Sequence, residues 1–358
     1  MHFIPPDVDY PSHLYTVGHA ATLFQPTASD RALREAVDLT LSMSSMDEQS
    51  QQTQSSADLD DCTHSASQQT HAQVVDLVNS SHNKRDLKQN GVKLKDKNIL
   101  QSACELRKQG RWTETLAKMD DDISWKSCLV GLSETTYSFA IRSLVDSLPT
   151  NANLALWKKI LSDHCGSCRL QKQTLLHVLS NCSVKLACYS WRHNNILLRL
   201  KNFVCEHLSE LEIHCDLVVE NNLFKSINVN TVPIDICITN LRPDLVIIDR
   251  VEKVVTIVEL TVPFEENILS AQERKSVKYR GLVSAIEEKG FTCNFHTVEV
   301  GARGIVGQGT NKLLRQICRS KRQETRALVK SLSQTAMKCS YLIFREKDNV
   351  SAIFHTVL

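Results

Sequence analysis

The sequence Arg242-Pro-Asp-Leu-Val-Ile-Ile-Asp-Arg-Val-Glu-Lys-Val-Val-Thr-Ile-Val-Glu-Leu-Thr261 contains two apolar runs separated by a short charged segment. This pattern predicts a β-hairpin. If residues 250–253 form its loop, Asp249 faces Val254, and the same register puts Asp244 directly opposite Glu259. The hairpin therefore predicts two carboxylates that project from one face of a sheet.

Two facing carboxylates need a positive partner, because like charges opposed across strands, with Cβ atoms about 4.5 to 5.5 Å apart, destabilise the pair. Mg²⁺ suits this position, since one or two carboxylates and substrate phosphates are its usual ligands. Asp244 and Glu259 thus predict a magnesium site that cleaves a phosphodiester. The alternative is that Asp244 is a turn residue after Pro243 and Glu259 a solvated charge at a strand edge.

The composition sets the class of protein. With 358 residues, 42% of them hydrophobic, the chain can form two domains around a substantial core. A formal net charge of +2 does not by itself predict a nucleic-acid partner, so that prediction depends on local basic clusters. The 13 cysteines are odd in number, and no secretory leader is recognised, which predicts a reducing compartment. No apolar run has the roughly 18 residues of a membrane span, so no membrane association is expected.

The sequence before residue 161 divides into three segments. Residues 1–41 contain one predicted helix, from Ser29 to Leu41. Residues 42–98 are mainly polar and predict a disordered linker that includes a lysine-rich stretch. That stretch is a nuclear address, a phosphate-binding strip or a solvated helix face. Residues 99–160 show the apolar spacing of helices.

A group of cysteines and one histidine follows. Their spacing is Cys-x2-Cys-x8-His-x4-Cys, and the residues are Cys165, Cys168, His177 and Cys182. This spacing is typical of a closed tetrahedral zinc site, so it predicts a structural zinc knuckle within residues 161–188. One alternative is buried free thiols beside an unrelated histidine. Another is a site in which His164 or Cys188 replaces one ligand.

Further helices and a strand are predicted on both sides of the hairpin. A helix precedes it over residues 183–211, and a helix from Ser270 to Lys289 and a strand from Phe291 to Val300 follow it. A basic helix is predicted from Lys312 to Lys330, either for a polyanion or as a solvated face. The candidate nucleic-acid contacts are basic side chains spread over these segments: Arg192, His193, Arg242, Arg303, Arg315 and Arg319.

The order helix, carboxylate hairpin, helix and strand resembles the core of the PD-(D/E)xK restriction-endonuclease-like superfamily. From Cys165 onward the chain is also similar to the C-terminal region of non-LTR retrotransposon proteins, which pair a CCHC knuckle with such an endonuclease. The residues that carry this resemblance are Cys165, Cys168, His177 and Cys182, Arg192-His193-Asn194, Arg242-Pro243-Asp244, Glu259, Lys275 with Lys278-Tyr279, and Gly301-Ala-Arg-Gly304. The shared order covers residues 110 to 310.

This resemblance implies a fold and an activity. It implies an α/β restriction-endonuclease-like core at residues 189–310, a mixed sheet flanked by helices, preceded by the zinc knuckle and the helical segment. Residues 311–358 would add the basic helix and a tail. The implied function is Mg²⁺-dependent nicking of DNA, with a structural Zn²⁺ and with DNA as the partner and RNA as a second candidate. The expected location is the nucleus, and the cytoplasm is the alternative.

Two departures from the family pattern qualify this expectation. The reverse transcriptase domain is not recognised, so the chain is not expected to be a reverse transcriptase by itself. Thr261 stands where the superfamily usually places a lysine. The missing amine is therefore expected from Lys278, with Lys275 on an adjacent phosphate. The alternative function is a catalytically inactive zinc-knuckle remnant that binds nucleic acid.

Overall fold

The computed structural model describes residues 98–106, 109–118, 125–225, 230–318, 322–351 and 354–358. The predicted helix at Ser29 to Leu41, the linker up to residue 97 and Arg319 lie outside the described residues. The chain divides into two units. Of the described residues, 98–103, which are helical, belong to the first unit, and those from residue 104 onward belong to the second.

Short helices open the described part of the second unit: α1 (Gly110–Lys118), α2 (Trp125–Leu129), α3 (Glu134–Leu144) and α4 (Asn151–Leu156). Side-chain caps fix two of their starts. Ser133 Oγ accepts a hydrogen bond from the Thr136 amide before α3, and Thr150 Oγ1 accepts one from the Asn153 amide before α4. The segment predicted as helical is thus a series of short helices, two of which begin at a side-chain cap.

A mixed sheet forms the centre of this unit. Its strands are β1 (Glu212–Cys215), β4 (Leu245–Asp249), β5 (Val254–Thr261) and β6 (Thr292–Glu299), in the order β1-β4-β5-β6. A separate hairpin contains β2 (Val218–Glu220) and β3 (Leu223–Lys225). The pairs β1/β4 and β4/β5 are antiparallel, whereas β5 and β6 are parallel. The predicted α/β class with a mixed sheet is confirmed.

The register of the β4–β5 hairpin is the predicted one. Asp249 pairs with Val254 and Leu245 pairs with Val258, which leaves residues 250–253 as the loop. Asp249 Oδ1 accepts hydrogen bonds from the amides of Val251 and Glu252 and so closes the turn. One step beyond Leu245 and Val258, Asp244 comes opposite Glu259.

Helices cover both faces of the sheet. They are α5 (Leu186–His207), α6 (Ile268–Glu287), α7 (Gln308–Cys318) and α8 (Arg322–Arg345). The crossover helix α6 packs Tyr279 and Leu282 on one face, in a core shared with Val255 and Ile257. On the other face, helices α5, α7 and α8 pack against a core that includes Val258. The predicted basic helix from Lys312 to Lys330 therefore falls on parts of two helices. None of the helices in the described ranges has the length and apolar character of a membrane span.

Salt bridges of Arg303 connect the loop after β6 to the segment after β5. Its Nε donates to Glu265 Oε2 at 2.7 Å, and its Nη2 donates to Glu266 at 2.9 Å. The guanidinium also lies 4.0 Å from the centre of the Phe264 ring. Arg303 and Glu265 are both buried, so the prediction that Arg303 contacts nucleic acid is corrected: its charge is used inside the protein.

We expect Arg303→Met to lower the free energy of unfolding by about 3 to 5 kcal/mol, because it leaves the Glu265 carboxylate buried without its cation. Urea denaturation measures this change. Arg280→Met, at an exposed position of α6, is the matched control and should change the free energy by less than about 0.5 kcal/mol. Equal losses in the two variants would contradict the role given to Arg303.

Candidate functional site

The first half of the cysteine group lies in a tight turn. His164 and Lys172 form an antiparallel bridge, and the amide of Cys165 donates to the carbonyl of Gln171 at 2.8 Å. The amide of Arg169 donates back to the carbonyl of Cys165 at 2.9 Å, and Arg169 adopts the left-handed conformation with φ +57°. The chain therefore reverses between Cys165 and Arg169, which places the first two cysteines in one turn.

The second half lies in a π-helical turn. This turn runs from His177 to Asn181, and Cys182 follows it directly. A π-helix bonds residue i to residue i+5, which brings residues five apart onto one side of the turn, and such turns are frequent at functional sites. His177 and Cys182 are five residues apart. The His-x4-Cys spacing is thus matched to the helix type.

The donor atoms fit a tetrahedral zinc ion. The four ligand atoms lie within 4.8 Å of one another. The Sγ atoms of Cys165 and Cys182 are 3.9 Å apart, and Cys168 Sγ is 3.3 Å from His177 Nε2. Zinc with Zn–S of about 2.3 Å and Zn–N of about 2.0 Å requires ligand separations of roughly 3.5 to 3.8 Å. This Cys₃His group can therefore hold zinc.

The surroundings of the group suit metal binding. Burial raises the pKa of the Cys182 thiol to about 12, so a thiolate there needs a cation. Burial lowers the pKa of His177, which favours the neutral ring that binds metals. His177 Nδ1 lies 3.1 Å from Gln171 Oε1, an acceptor, which leaves Nε2 free to bind the ion.

Neither substitute ligand belongs to the group. His164 Nδ1 contacts Asp163 Oδ1 at 3.1 Å, with a side chain that is largely exposed. Cys188 is buried in the hydrophobic core that contains Trp191. The four-residue group predicted from the spacing is the one whose donor atoms converge.

The knuckle forms hydrogen bonds with the turn that follows α8. Ser167 Oγ donates to the carbonyl of Lys347, and Gln173 Nε2 donates to Asp348 Oδ1, both at 2.7 Å. Lys185, a buried lysine, donates to the carbonyl of Glu346 at 2.8 Å. The sequence gives no sign of this contact, since its partners are about 160 to 180 residues apart.

Asp244 and Glu259 meet at the end of the β4–β5 hairpin. The Asp244 amide donates to Glu259 Oε2 at 3.3 Å, and the Leu260 amide donates to Asp244 Oδ2 at 2.7 Å. The Glu259 side chain is only 3% exposed, on an inner strand of the sheet. The alternative of a solvated charge at a strand edge is therefore wrong for Glu259.

Each carboxylate has a basic partner on a flanking helix. His193 Nε2 of α5 is 3.4 Å from Asp244 Oδ2, and Lys275 Nζ of α6 forms an ion pair with Glu259 Oε1. Lys278 Nζ instead donates to Tyr279 Oη at 3.2 Å. The expected order of the lysines is corrected, because Lys275 and not Lys278 contacts the acid.

These contacts shift the pKa values of the cluster. Burial, followed by the charge of Asp244, raises the pKa of Glu259. For Asp244, burial alone would raise the pKa, but the charge and hydrogen bond of His193 lower it. Burial also opposes the charged form of His193, yet Asp244 raises the pKa of His193 to about 9. The cluster therefore holds Asp244 and His193 as an ion pair at neutral pH.

The candidate nucleic-acid contacts have different surroundings. Arg192 is buried and donates to Ser340 Oγ at 3.0 Å and to the carbonyl of Val262 at 3.2 Å, so its predicted phosphate contact is corrected. Arg242 forms an ion pair with Asp216. Arg315 is exposed on α7, while Arg319 lies outside the described part of the chain.

Within the described ranges, the knuckle is the only group of three or more Cys, His, Asp or Glu ligands that could hold a metal ion. A magnesium ion at the acid cluster would therefore depend on two protein carboxylates and on substrate oxygens. No protein-family model matches the chain, and no curated protein matches it.

We expect the His193–Asp244 pair to stabilise the fold at neutral and mildly acidic pH, where Asp244 is ionised. The folded pKa of His193, about 9, exceeds its ordinary value of 6.5, so on the alkaline side the contribution is complete below about pH 6.5 and disappears as pH rises through 9. Relative to His193→Gln, the wild-type free energy of unfolding should fall by on the order of 2 kcal/mol over this range. Urea titrations without added magnesium measure it, and parallel pH profiles would contradict it.

Proposed function

We propose that the chain is a retrotransposon-derived, nucleic-acid-binding protein that nicks DNA at Asp244 and Glu259 in a metal-dependent reaction. One observation carries the proposal: the buried carboxylate of Glu259, the partly buried carboxylate of Asp244 and the amine of Lys275 meet at one end of the sheet. The order of the secondary-structure elements also supports the proposal. Strands β1 to β3 follow α5, and the hairpin β4–β5, the crossover α6 and the parallel β6 then follow in the order of the PD-(D/E)xK resemblance.

The roles follow from the contacts. Asp244 and Glu259 would hold Mg²⁺, which supplies Lewis-acid stabilisation of the phosphate when bound. Lys275 contacts Glu259 with a side chain that is 31% exposed, so its amine can turn toward a scissile phosphate while its stem stays in place. His193 orients Asp244. In this assignment the chain provides two acids, a mobile amine and a fixed imidazole.

Lys275 also accounts for the absence of a lysine at position 261. Thr261 is buried, two residues beyond Glu259 on the same strand, and its hydroxyl makes no hydrogen bond to a described residue. The amine reaches the acid from the helix over the sheet instead. The geometry thus supports a lysine supplied by α6, at Lys275 and not at Lys278.

The knuckle supplies the second part of the proposal. We propose that Cys165, Cys168, His177 and Cys182 bind one structural Zn²⁺ and position nucleic acid, either DNA or RNA. The close approach of the four donor atoms supports the metal. A nuclear location is proposed with it, because the DNA substrate lies there.

Supercoiled plasmid tests the nuclease directly. Purified protein should convert it to the open-circular form with Mg²⁺, and this should stop when Mg²⁺ is omitted. Omission is a better control than a strong chelator, which would also remove zinc. No nicking across a series of Mg²⁺ and Mn²⁺ concentrations would reject the nuclease.

The two lysines give a sharper test. Lys275→Ala should reduce the nicking rate by about 10² or more, since it removes a positive charge at the reacting phosphate. Lys278→Ala, three residues along the same helix, is the matched control and should retain most of the rate. Single-turnover nicking measures both. A larger loss in Lys278→Ala would overturn the assignment.

A second function is favoured by one observation. Both carboxylates already have basic partners, and the Asp244 side chain is only 16% exposed, so the cluster is electrostatically satisfied without a metal. This favours a catalytically inactive zinc-knuckle protein that binds nucleic acid. Binding that persists without any nicking would identify it.

A further inference from the structure

An exposed apolar segment leads from α4 into the knuckle. Residues 156–161, Leu156-Trp-Lys-Lys-Ile-Leu161, are all exposed, and Leu161 is fully so. Exposed leucines are common singly, but four large apolar side chains within six residues indicate an interaction site. We call this segment the 156–161 patch.

The patch has a defined backbone. The Lys159 amide donates to the carbonyl of Leu154 and the Lys158 amide to that of Ala155, both at 2.9 Å. Together with the left-handed Lys158, φ +58°, these bonds form a Schellman motif that ends α4. The start of α4 is in turn bonded to the knuckle, through Asn151 Nδ2 and the carbonyl of His164 at 2.7 Å. The first part of the patch is therefore anchored to α4, whose start is bonded to the knuckle.

The charge of the patch and of the residues around it indicates which class of molecule binds there. Between residues 156 and 172 there are four Lys or Arg side chains and a single carboxylate, Asp163. Lys158 and Lys159 lie between the apolar residues, and Arg169 is exposed at the knuckle turn. Protein–protein interfaces are depleted in lysine, whereas lysines beside an aromatic ring are the features that bind single-stranded nucleic acid.

We propose that the 156–161 patch binds single-stranded DNA, with bases stacked on Trp157 and phosphates on Lys158 and Lys159. A duplex keeps its base faces stacked inside, so it offers the ring nothing to stack on. This inference rests on the proposed function, since nicking produces DNA that can separate into single strands next to the acid cluster. It concerns a different surface and can fail independently.

The tryptophans make the test specific. The sequence contains four, all in described ranges: Trp112, Trp125 and Trp191 are buried, and Trp157 is 38% exposed. Acrylamide quenching of tryptophan fluorescence therefore reports mainly on the patch. A saturating single-stranded 20-nucleotide DNA should shield Trp157 from acrylamide, and the same sequence as a duplex should not.

Binding measured by fluorescence anisotropy of a labelled 20-nucleotide strand completes the test. Trp157→Ala should weaken binding by about tenfold, whereas Trp157→Phe, which keeps a ring, should stay within about threefold of wild type. Changing Lys158 and Lys159 together to Gln should reduce the slope of log K against log salt by about 1.4. Lys289→Gln, an exposed lysine after α6, should leave the slope unchanged.

Several outcomes would overturn the proposal. They are unchanged affinity in Trp157→Ala, equal shielding by duplex, tighter binding of the matching RNA, or shielding by anionic lipid vesicles but not by DNA. The experiments also distinguish failure of the nuclease proposal from failure of the patch proposal. If Trp157 is shielded but plasmid is not nicked, only the nuclease fails. If plasmid is nicked in an Asp244-dependent manner but Trp157→Ala binds single strands normally, only the patch fails.

Discussion

Replacing Cys168 by serine together with His177 by alanine is expected to abolish zinc binding and to lower the melting temperature sharply. Structural zinc contributes folding free energy directly, about 10 to 16 kcal/mol in isolated zinc-finger peptides at pH 7. Here the loss also leaves buried thiols without a cation. Elemental analysis should give one zinc per wild-type chain and none in the double variant.

Matched controls separate the ligands from their neighbours. His164→Ala and Cys205→Ser change exposed side chains of the same two kinds, and both should keep one zinc. A zinc content that stays at one in the Cys168 and His177 double variant would show that the group is not the metal site. A content of zero in wild type would show the same.

Changing Asp244 to asparagine or Glu259 to glutamine is expected to reduce nicking by at least about a thousandfold. A metal ligand contributes several kcal/mol of transition-state stabilisation, and about 1.4 kcal/mol corresponds to a factor of ten. DNA affinity should change little, because the 156–161 patch and the knuckle remain. Plasmid nicking and anisotropy on the same samples measure the two quantities.

The stability of these variants follows from the basic partners. In Asp244→Asn, His193 loses the charge that raises its pKa and can become neutral. In Glu259→Gln, the partly exposed Lys275 can turn to solvent. Glu259→Gln should therefore stay within about 1 kcal/mol of wild type. Asp244→Asn should lose on the order of 2 kcal/mol at neutral pH, because it removes the ion pair with His193. Near-normal nicking would dismiss the acid cluster as a catalytic site, and a marked fall in the melting temperature of Glu259→Gln would assign the cluster a structural role.

The hairpin and the Cys₃His group could be predicted because both are local. Alternation fixes which residues of a strand face the core, and a loop of four residues then fixes the pairing of Asp249 with Val254. The cysteine spacing needs only a turn and one helical segment. For such features, sequence distance and spatial distance are nearly the same.

The sequence also contains the information that selects Lys275 over Lys278, because it sets the angular position of each residue around helix α6. Helix α6 buries Ile268, Ala271, Tyr279, Leu282 and Ile286. At about 100° per residue, Lys275 lies at the centre of this stripe, and Lys278 lies roughly 60° to one side. The four-residue spacing alone did not distinguish the two. The mean direction of the buried stripe does distinguish them, because it coincides with the position of Lys275.

The burial of Arg192 and Arg303 could not be predicted in this way. Their partners are distant in sequence: Ser340 is 148 residues from Arg192, and Glu265 is 38 residues from Arg303. A basic side chain in a loop or on a helix is usually exposed, and only the tertiary fold brings it a buried partner. Both arginines belong to motifs of the family resemblance, which explains why a surface role was expected.

The hydrogen bonds between the knuckle and the turn after α8 have a consequence for synthesis on the ribosome. Gln173 and its acceptor Asp348 are 175 residues apart in the chain. At about 5 to 20 residues per second, Asp348 is added roughly 9 to 35 s after Gln173. During that interval the surface that supports the knuckle does not yet exist. Until the turn after α8 emerges, the geometry of the nascent knuckle can therefore depend only on its own hydrogen bonds and on the zinc ion that we propose it binds.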